Sequence, residues 1–215
     1  MTPSTYLQEE FYKHNYETYF IPNTISIHSY KFKERTSLKL NILWVRAFDK
    51  TYNPFLAIKI LKLFNEMHFE VNLCMVGPDK DGSLNEVKIL ATKLKVINNV
   101  KFTGVLTKEK WHQLSENYDL FINTTTIDNM PVSVIEAMAL GLPIISTNVG
   151  GIPYLIEHKK NGILVNDNNE NEMANAIVDL LQNPTKAFEY SMNARKKVEG
   201  YDVEIVKQQW LTILN

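Results

Sequence analysis

From about Leu40 onward, short apolar runs alternate with stretches whose apolar side chains recur every three or four residues. Residues 41–46 (N-I-L-W-V-R), 71–76, 100–102, 120–122, 143–146 and 162–165 read as short buried strands. Residues 54–66 place Phe55, Ile58, Leu61, Leu63 and Phe64 at helical spacing, and the same period predicts helices over 84–94, 108–117, 131–140, 170–181, 186–198 and 203–214, with a short one after Pro153. Alternating strand and helix, with apolar strands of this length, implies a parallel sheet covered on both faces, a doubly wound, Rossmann-like α/β domain. Ligands of such sheets bind beyond the carboxyl ends of the strands. The predicted ends put Arg46, Gly77, Gly104, residues 124–128 and residues 148–151 on one rim.

The first 38 residues lack this alternation. T-Y-L-Q-E-E-F-Y-K-H is helix-like and I-P-N-T-I-S is a short extended piece. The expected organisation is a linking segment over 1–38, the α/β domain over 39–200, and a C-terminal helix over 201–215.

One stretch changes the picture most: residues 128–153, D-N-M-P-V-S-V-I-E-A-M-A-L-G-L-P-I-I-S-T-N-V-G-G-I-P. Pro131 suits a first helical turn, where its missing N–H has no partner to lose. Gly141 suits the stop. Between them only Ser133 and Glu136 are polar, so the helix is buried on most faces. A carboxylate there needs a partner or a ligand, because a lone buried charge is expensive. Glu136 either pairs locally, in a loose capping box with Ser133, or serves a ligand. Asp128, with seven residues between it and Glu136, is a turn or N-cap residue or a second ligand group. The amides at the start of this helix, around residues 132–134, form a ready anion cradle. Arg46 ends the first strand, as a surface ion-pair partner or as a cation on the rim. Gly150 and Gly151 allow close backbone approach.

Composition narrows the classes. A net charge of -1 over 215 residues argues against a dedicated nucleic-acid or anionic-membrane surface. No apolar run approaches the roughly 20 residues that span a bilayer, and the first ten residues lack a basic region followed by an apolar core. The single cysteine, Cys74, sits inside an apolar run and reads as a buried small residue in a reducing, cytoplasmic setting. The five histidines (His14, His28, His68, His112, His158) have no ligand spacing, so no metal site is expected. Asp79-Lys80-Asp81 is a D-x-D triplet that reads as chance in an acidic loop. Phosphate-loop, G-x-G-x-x-G and G-x-S-x-G motifs are missing.

The run I-E-A-M-A-L-G-L-P-I-I-S-T-N-V-G-G-I-P resembles the C-terminal domain of family 4 of the retaining glycosyltransferases, nucleotide-sugar enzymes of GT-B fold. S-T-Y-L-Q-E-E-F and F-I-P-N-T-I-S resemble that family's link between its two domains, so the likeness covers nearly the whole chain. It implies the donor-binding half of a metal-independent enzyme. That half transfers a hexose with retention from a nucleoside-diphosphate sugar, with no separate cofactor, to a glycan or lipid-linked acceptor, in the cytoplasm or at the inner membrane face. An acceptor-binding N-terminal domain would come from another chain or from a longer parent. By the same likeness Arg46 contacts the donor phosphates, Asp128 the sugar and Glu136 the ribose hydroxyls. Gly77, Gly104, Val105 and Leu106 line the nucleoside pocket, and Thr125, Pro131, Val132 and Ser133 surround the sugar and diphosphate. Three positions depart from the pattern. Asp128 replaces a glutamate, Tyr154 stands where a glutamate is common, and the usual lysine position holds Thr51 or Tyr52, with Lys50 beside it as the candidate substitute. These departures keep open a degenerate domain retained as a partner or scaffold subunit. A flavodoxin-like domain binding another phosphate ligand on the same rim is a third reading.

Overall fold

The computed structural model describes residues 1–214. Six parallel strands form one sheet: β1 Asn41–Val45, β2 Asn72–Val76, β3 Val100–Gly104, β4 Leu120–Asn123, β5 Ile144–Thr147 and β6 Ile163–Val165. Their order is β3-β2-β1-β4-β5-β6, every neighbouring pair parallel. The chain runs outward from β1 to β3, then returns to the other side of β1 for β4. The strand order therefore reverses between β1 and β4, and there the connections leave in opposite directions and open a crevice.

The helices are α1 Thr5–Lys13, α2 Pro54–Glu66, α3 Ser83–Lys93, α4 Lys108–Ser115, α5 Val132–Ala139, α6 Ile152–Leu155, α7 Glu170–Gln182, α8 Pro184–Glu199 and α9 Val203–Leu214. Alternation along β1 shows how the strands serve two cores. Ile42 and Trp44 pack with α2, α3 and α7, whereas Leu43 packs with α4, α5 and α8. Helix α2 spans the residues its apolar spacing predicts, with Pro54 at its first position. Helix α5 starts one residue later than predicted: Pro131 is its N-cap, in extended backbone, rather than its first helical residue.

The segment before β1 is bound to the domain by buried polar contacts. Arg35 is buried and donates to the carbonyls of Lys33, Ser115, Tyr118 and Leu140 at 2.8–3.0 Å. Burial lowers its pKa to about 10. Ile27 N–H donates to Asp202 (2.9 Å) at the start of α9, and Ile25 forms a bridge to the same residue. The predicted extended piece around Ile21–Ile25 makes single bridges only and no strand. Asn215, the last residue of the expected C-terminal helix, lies outside the described residues. No described helix is long and apolar enough to cross a membrane.

Candidate functional site

The carboxyl ends of β1 and β2, the loop after β3 and the starts of α4 and α5 surround a hollow of about 310 Å³. Arg46 and Gly77 enter it from the ends of β1 and β2, Val105 and Leu106 from the loop after β3, Lys108 from the first turn of α4, and Ser133 and Glu136 from the first turns of α5. Tyr52 closes one side.

Arg46 forms a hydrogen-bonded ion pair with Asp128, linking the end of β1 to the loop after β4 across the point where the strand order reverses. The guanidinium lies over the Tyr52 ring, with Cζ 3.9 Å from the ring centroid. Its Nε is buried and has no hydrogen-bond partner among the described residues. The backbone behind it is tightly packed. Gly77 has φ +148°, and a Cβ there would overlap the Arg46 carbonyl. Gly77 is thus required by the neighbouring strand end.

Glu136 is 4% exposed. Its Oε1 accepts from the Tyr30 hydroxyl (2.9 Å) and lies 3.0 Å from Lys108 Nζ. Burial, reinforced by the Glu136 charge and hydrogen bond, holds the Tyr30 hydroxyl well above its ordinary pKa, so Tyr30 stays a donor. His112, one turn along α4 from Lys108, packs against Tyr30 in a tilted arrangement with ring centroids 4.6 Å apart. Burial pushes its pKa down, partly opposed by Glu136.

Helix α5 has no side-chain cap at its N-terminus. Its Val132 and Ser133 amides are left free by helical geometry, whereas the Val134 N–H donates to the Pro131 carbonyl (3.1 Å). The Ser133 hydroxyl beside them is buried without a hydrogen-bond partner among the described residues. Arg46 Nε and Ser133 Oγ are two unsatisfied polar atoms belonging to residues of one hollow. Buried polar groups in folded proteins are almost always paired. An oxygen-rich anion would satisfy donors at Arg46, Ser133 and the α5 amides together.

Other residues singled out from the sequence sit differently. Lys50 turns away from the hollow: its ammonium is 3.6 Å from Glu86, and its backbone N–H donates to Asp81. The cation that does line the hollow together with Arg46 is Lys108, 62 residues from Arg46 in sequence. Thr125 is buried, and its hydroxyl donates to the Ile127 carbonyl (2.8 Å) with the Thr51 carbonyl 3.2 Å away. Pro131 and Val132 flank the hollow without lining it, and Val132 is exposed. Gly104 ends β3 and accepts from Gly77 N–H through its carbonyl, so it holds the rim together. Gly150 and Gly151 make a close approach to the Asp128–Asn129 backbone of their own chain, with Gly151 N–H donating to Asp128 O at 2.7 Å. Tyr154 points the other way, its hydroxyl bonded to Glu9 of α1. Asp79 and Asp81 spend their carboxylates on the backbone of their own loop and of residue 50.

Tyr30, Tyr52, Lys108 and His112 were not legible as site residues. Each belongs to a segment with no motif. Only Tyr52 carried a signal, as an occupant of the position where the resemblance expects lysine.

Residues 28–197 match the family model described as glycosyl transferases group 1. An uncharacterized glycosyltransferase of Haemophilus influenzae is 28% identical over 214 residues, covering 98% of this chain and 58% of the relative. The poly(ribitol-phosphate) alpha-N-acetylglucosaminyltransferase of Staphylococcus aureus is 32% identical over 102 residues, covering 46% of this chain and 21% of that protein. Among solved structures, Anabaena HepE in complex with UDP and glucose superposes with a TM-score of 0.88 at 23% identity, over 99% of this chain and 61% of HepE. Sucrose-phosphate synthase of Thermosynechococcus elongatus superposes with a TM-score of 0.83 at 21% identity, over 97% of this chain and 56% of that protein. The chain therefore spans less than two thirds of the length of these relatives, and its fold is that of the C-terminal domain of GT-B glycosyltransferases. By the match over residues 28–197, this chain belongs to the group 1 glycosyl transferases.

Proposed function

We propose that the hollow binds a nucleoside-diphosphate sugar, with UDP as the nucleotide, and that the domain is the donor half of a retaining hexosyltransferase of family 4. The observation that carries this reading is the convergence of Arg46, the uncapped α5 amides with the unpartnered Ser133 hydroxyl, and Glu136 on one hollow at the sheet's reversal point. HepE, which shares the fold, has been solved with UDP-glucose.

In this reading the diphosphate sits between Arg46 and the start of α5, the nucleobase lies along Val105 and Leu106, and Glu136 accepts from the ribose hydroxyls. Lys108 and Tyr30 hold Glu136 before the donor arrives. As the donor enters, Arg46 exchanges the Asp128 carboxylate for phosphate oxygens, which frees Asp128 to accept from a sugar hydroxyl. The bond between the anomeric carbon and the diphosphate breaks, and its electron pair stays on the diphosphate. The acceptor oxygen bonds to the same face of the sugar and passes its proton to the departing diphosphate oxygen. Charge growth on the leaving diphosphate is where Arg46 and the α5 amides act. The acceptor is a glycan or lipid-linked glycan. It is presented by a second domain, in this protein or in a partner chain, across a cleft of which this domain forms one wall.

Isothermal titration calorimetry tests the reading. The folded chain is expected to bind UDP, or UDP-glucose, more tightly than GDP or ADP, and Arg46→Ala and Glu136→Ala are each expected to weaken UDP binding about tenfold or more. No binding of any of these nucleotides by the folded chain would end it. The orientation of Lys50 toward Glu86 favours a second reading, a partner subunit without turnover. Retained activity of a complex carrying Asp128→Ala and Glu136→Ala would select it.

A further inference from the structure

Tyr52 occupies the neighbourhood where the resemblance expects a lysine, and nothing about a tyrosine can replace that charge. The structure gives it another task. The Arg46 guanidinium lies over its ring, 3.9 Å from Cζ to the centroid, on the wall of the hollow. The loop that carries it is clamped on every side. The Asp49 carboxylate accepts from Thr51 N–H (2.9 Å), and the Asp49 carbonyl accepts from Tyr52 N–H (2.9 Å). The Thr51 carbonyl accepts from Thr126 N–H (2.8 Å) and Thr126 Oγ1 (3.0 Å), and Thr125 Oγ1 lies 3.2 Å from it. The Tyr52 carbonyl accepts from Thr124 Oγ1 (2.8 Å), which in turn accepts from the buried Trp44 indole (2.9 Å). The three threonines after β4 therefore serve as the anchor of the Tyr52 loop. Asn53, with φ +44° and its side chain bonded to Asn168 (2.7 Å), fixes the far end.

We propose that Tyr52 is a positioning residue for the donor diphosphate. Stacking fixes the plane of the guanidinium, so the edge donors of Arg46 stay directed at an anion in the hollow without a second cation beside them. The Thr124–Thr126 segment acts through Tyr52. Its hydroxyls are committed to carbonyls of the 51–52 loop and of residue 127, so they are not offered to a ligand. This inference rests on the nucleotide reading above and goes beyond it by assigning the aromatic ring a role that a lysine cannot fill.

A double-mutant cycle on UDP affinity, read by calorimetry with folding checked by circular dichroism, tests it. Tyr52→Phe keeps the ring and is expected to bind UDP within about twofold of the parent. Tyr52→Leu loses the stack and is expected to bind about three- to tenfold more weakly. In an Arg46→Gln background, where there is no guanidinium to orient, Tyr52→Leu is expected to have no further effect. Equal losses from Tyr52→Leu in both backgrounds would make Tyr52 a loop-packing residue and overturn the proposal. So would a Tyr52→Phe variant as weak as Tyr52→Leu, because the hydroxyl would then be the active group. A parent chain that binds no nucleotide removes the donor reading and this inference together, whereas a parent that binds UDP and a Tyr52→Leu variant that matches it removes this inference alone.

Discussion

Glu136 sits in a helix with almost no other polar residue, and its two partners come from different segments: Tyr30, 106 residues earlier, and Lys108 from α4. Their hydrogen bonds offset a desolvation cost that a lone carboxylate would not bear. His112 belongs to the same cluster, packed against Tyr30, close to the charges of Glu136, Lys108 and Glu109, and with Nε2 buried without a partner among the described residues. Its folded-state pKa is depressed, chiefly by burial. The sign of the pH effect follows. As pH falls through about 6.5, His112 in the unfolded chain takes up a proton that the folded chain still refuses, so stability declines. Urea unfolding between pH 7 and pH 5 is expected to show a fall in stability that becomes shallower in His112→Phe. An unchanged slope in that variant would place the pH dependence elsewhere. Lys50 and Lys108 show why such assignments escape a linear reading. Proximity in sequence favoured Lys50, but a 3-10 turn capped by Asp49 sends its side chain toward Glu86, while Lys108 faces the hollow only because β3 and α5 bring it there.

Among the elements, the rim is built from strand ends that touch one another through backbone. Gly77 is where that packing is tightest, since any Cβ would meet the Arg46 carbonyl. Gly77→Ala is expected to cost at least about 2 kcal/mol in urea denaturation, through backbone displacement in a site with no room to relax. The same variant is expected to lose UDP binding, because the displaced residue is the principal cation of the hollow. Stability and binding near the parent values would refute the tight-contact account. Helix α5 was visible in advance from Pro131 and Gly141, which bracket it within one residue, because start and stop signals are local. The glycine pair after β5 packs closely against its own chain. Gly150 and Gly151 admit the Asp128–Asn129 backbone, a long-range contact that a glycine pair in a sequence does not distinguish from approach to a ligand.

Over the whole molecule, Arg35 and Asp202 are among the polar anchors that bind the first 38 residues to the rest of the chain. Arg35 fills four carbonyl positions at the junction of α4, β4 and α5, and Asp202 ties Ile27 to the start of α9. Arg35→Met keeps most of the side-chain volume but strands those carbonyls. It is expected to cost about 3 kcal/mol in denaturant unfolding, the order expected when buried polar groups lose a charged partner. A loss under about 1 kcal/mol would mean that water or a rearranged segment satisfies them instead. The Tyr30 hydroxyl bond to Glu136 lies on this same segment, so loosening it is expected to reach the hollow as well.

The alternation of strands and helices, the parallel sheet and the rim carrying Arg46, Asp128 and Glu136 were all legible in the order of residues. Hydrophobic period, turn residues and helix caps act over a few neighbours, and strand ends in a parallel sheet necessarily share one edge. Which polar groups meet on that edge was settled by folding. Arg46 meeting Asp128 and Tyr52, Glu136 meeting Tyr30 and Lys108, and three threonines anchoring a loop rather than facing a ligand all depend on side-chain directions across strands far apart in the chain. Those directions come from close packing and from the need to pair every buried polar atom, and both conditions are met only when the whole domain is assembled.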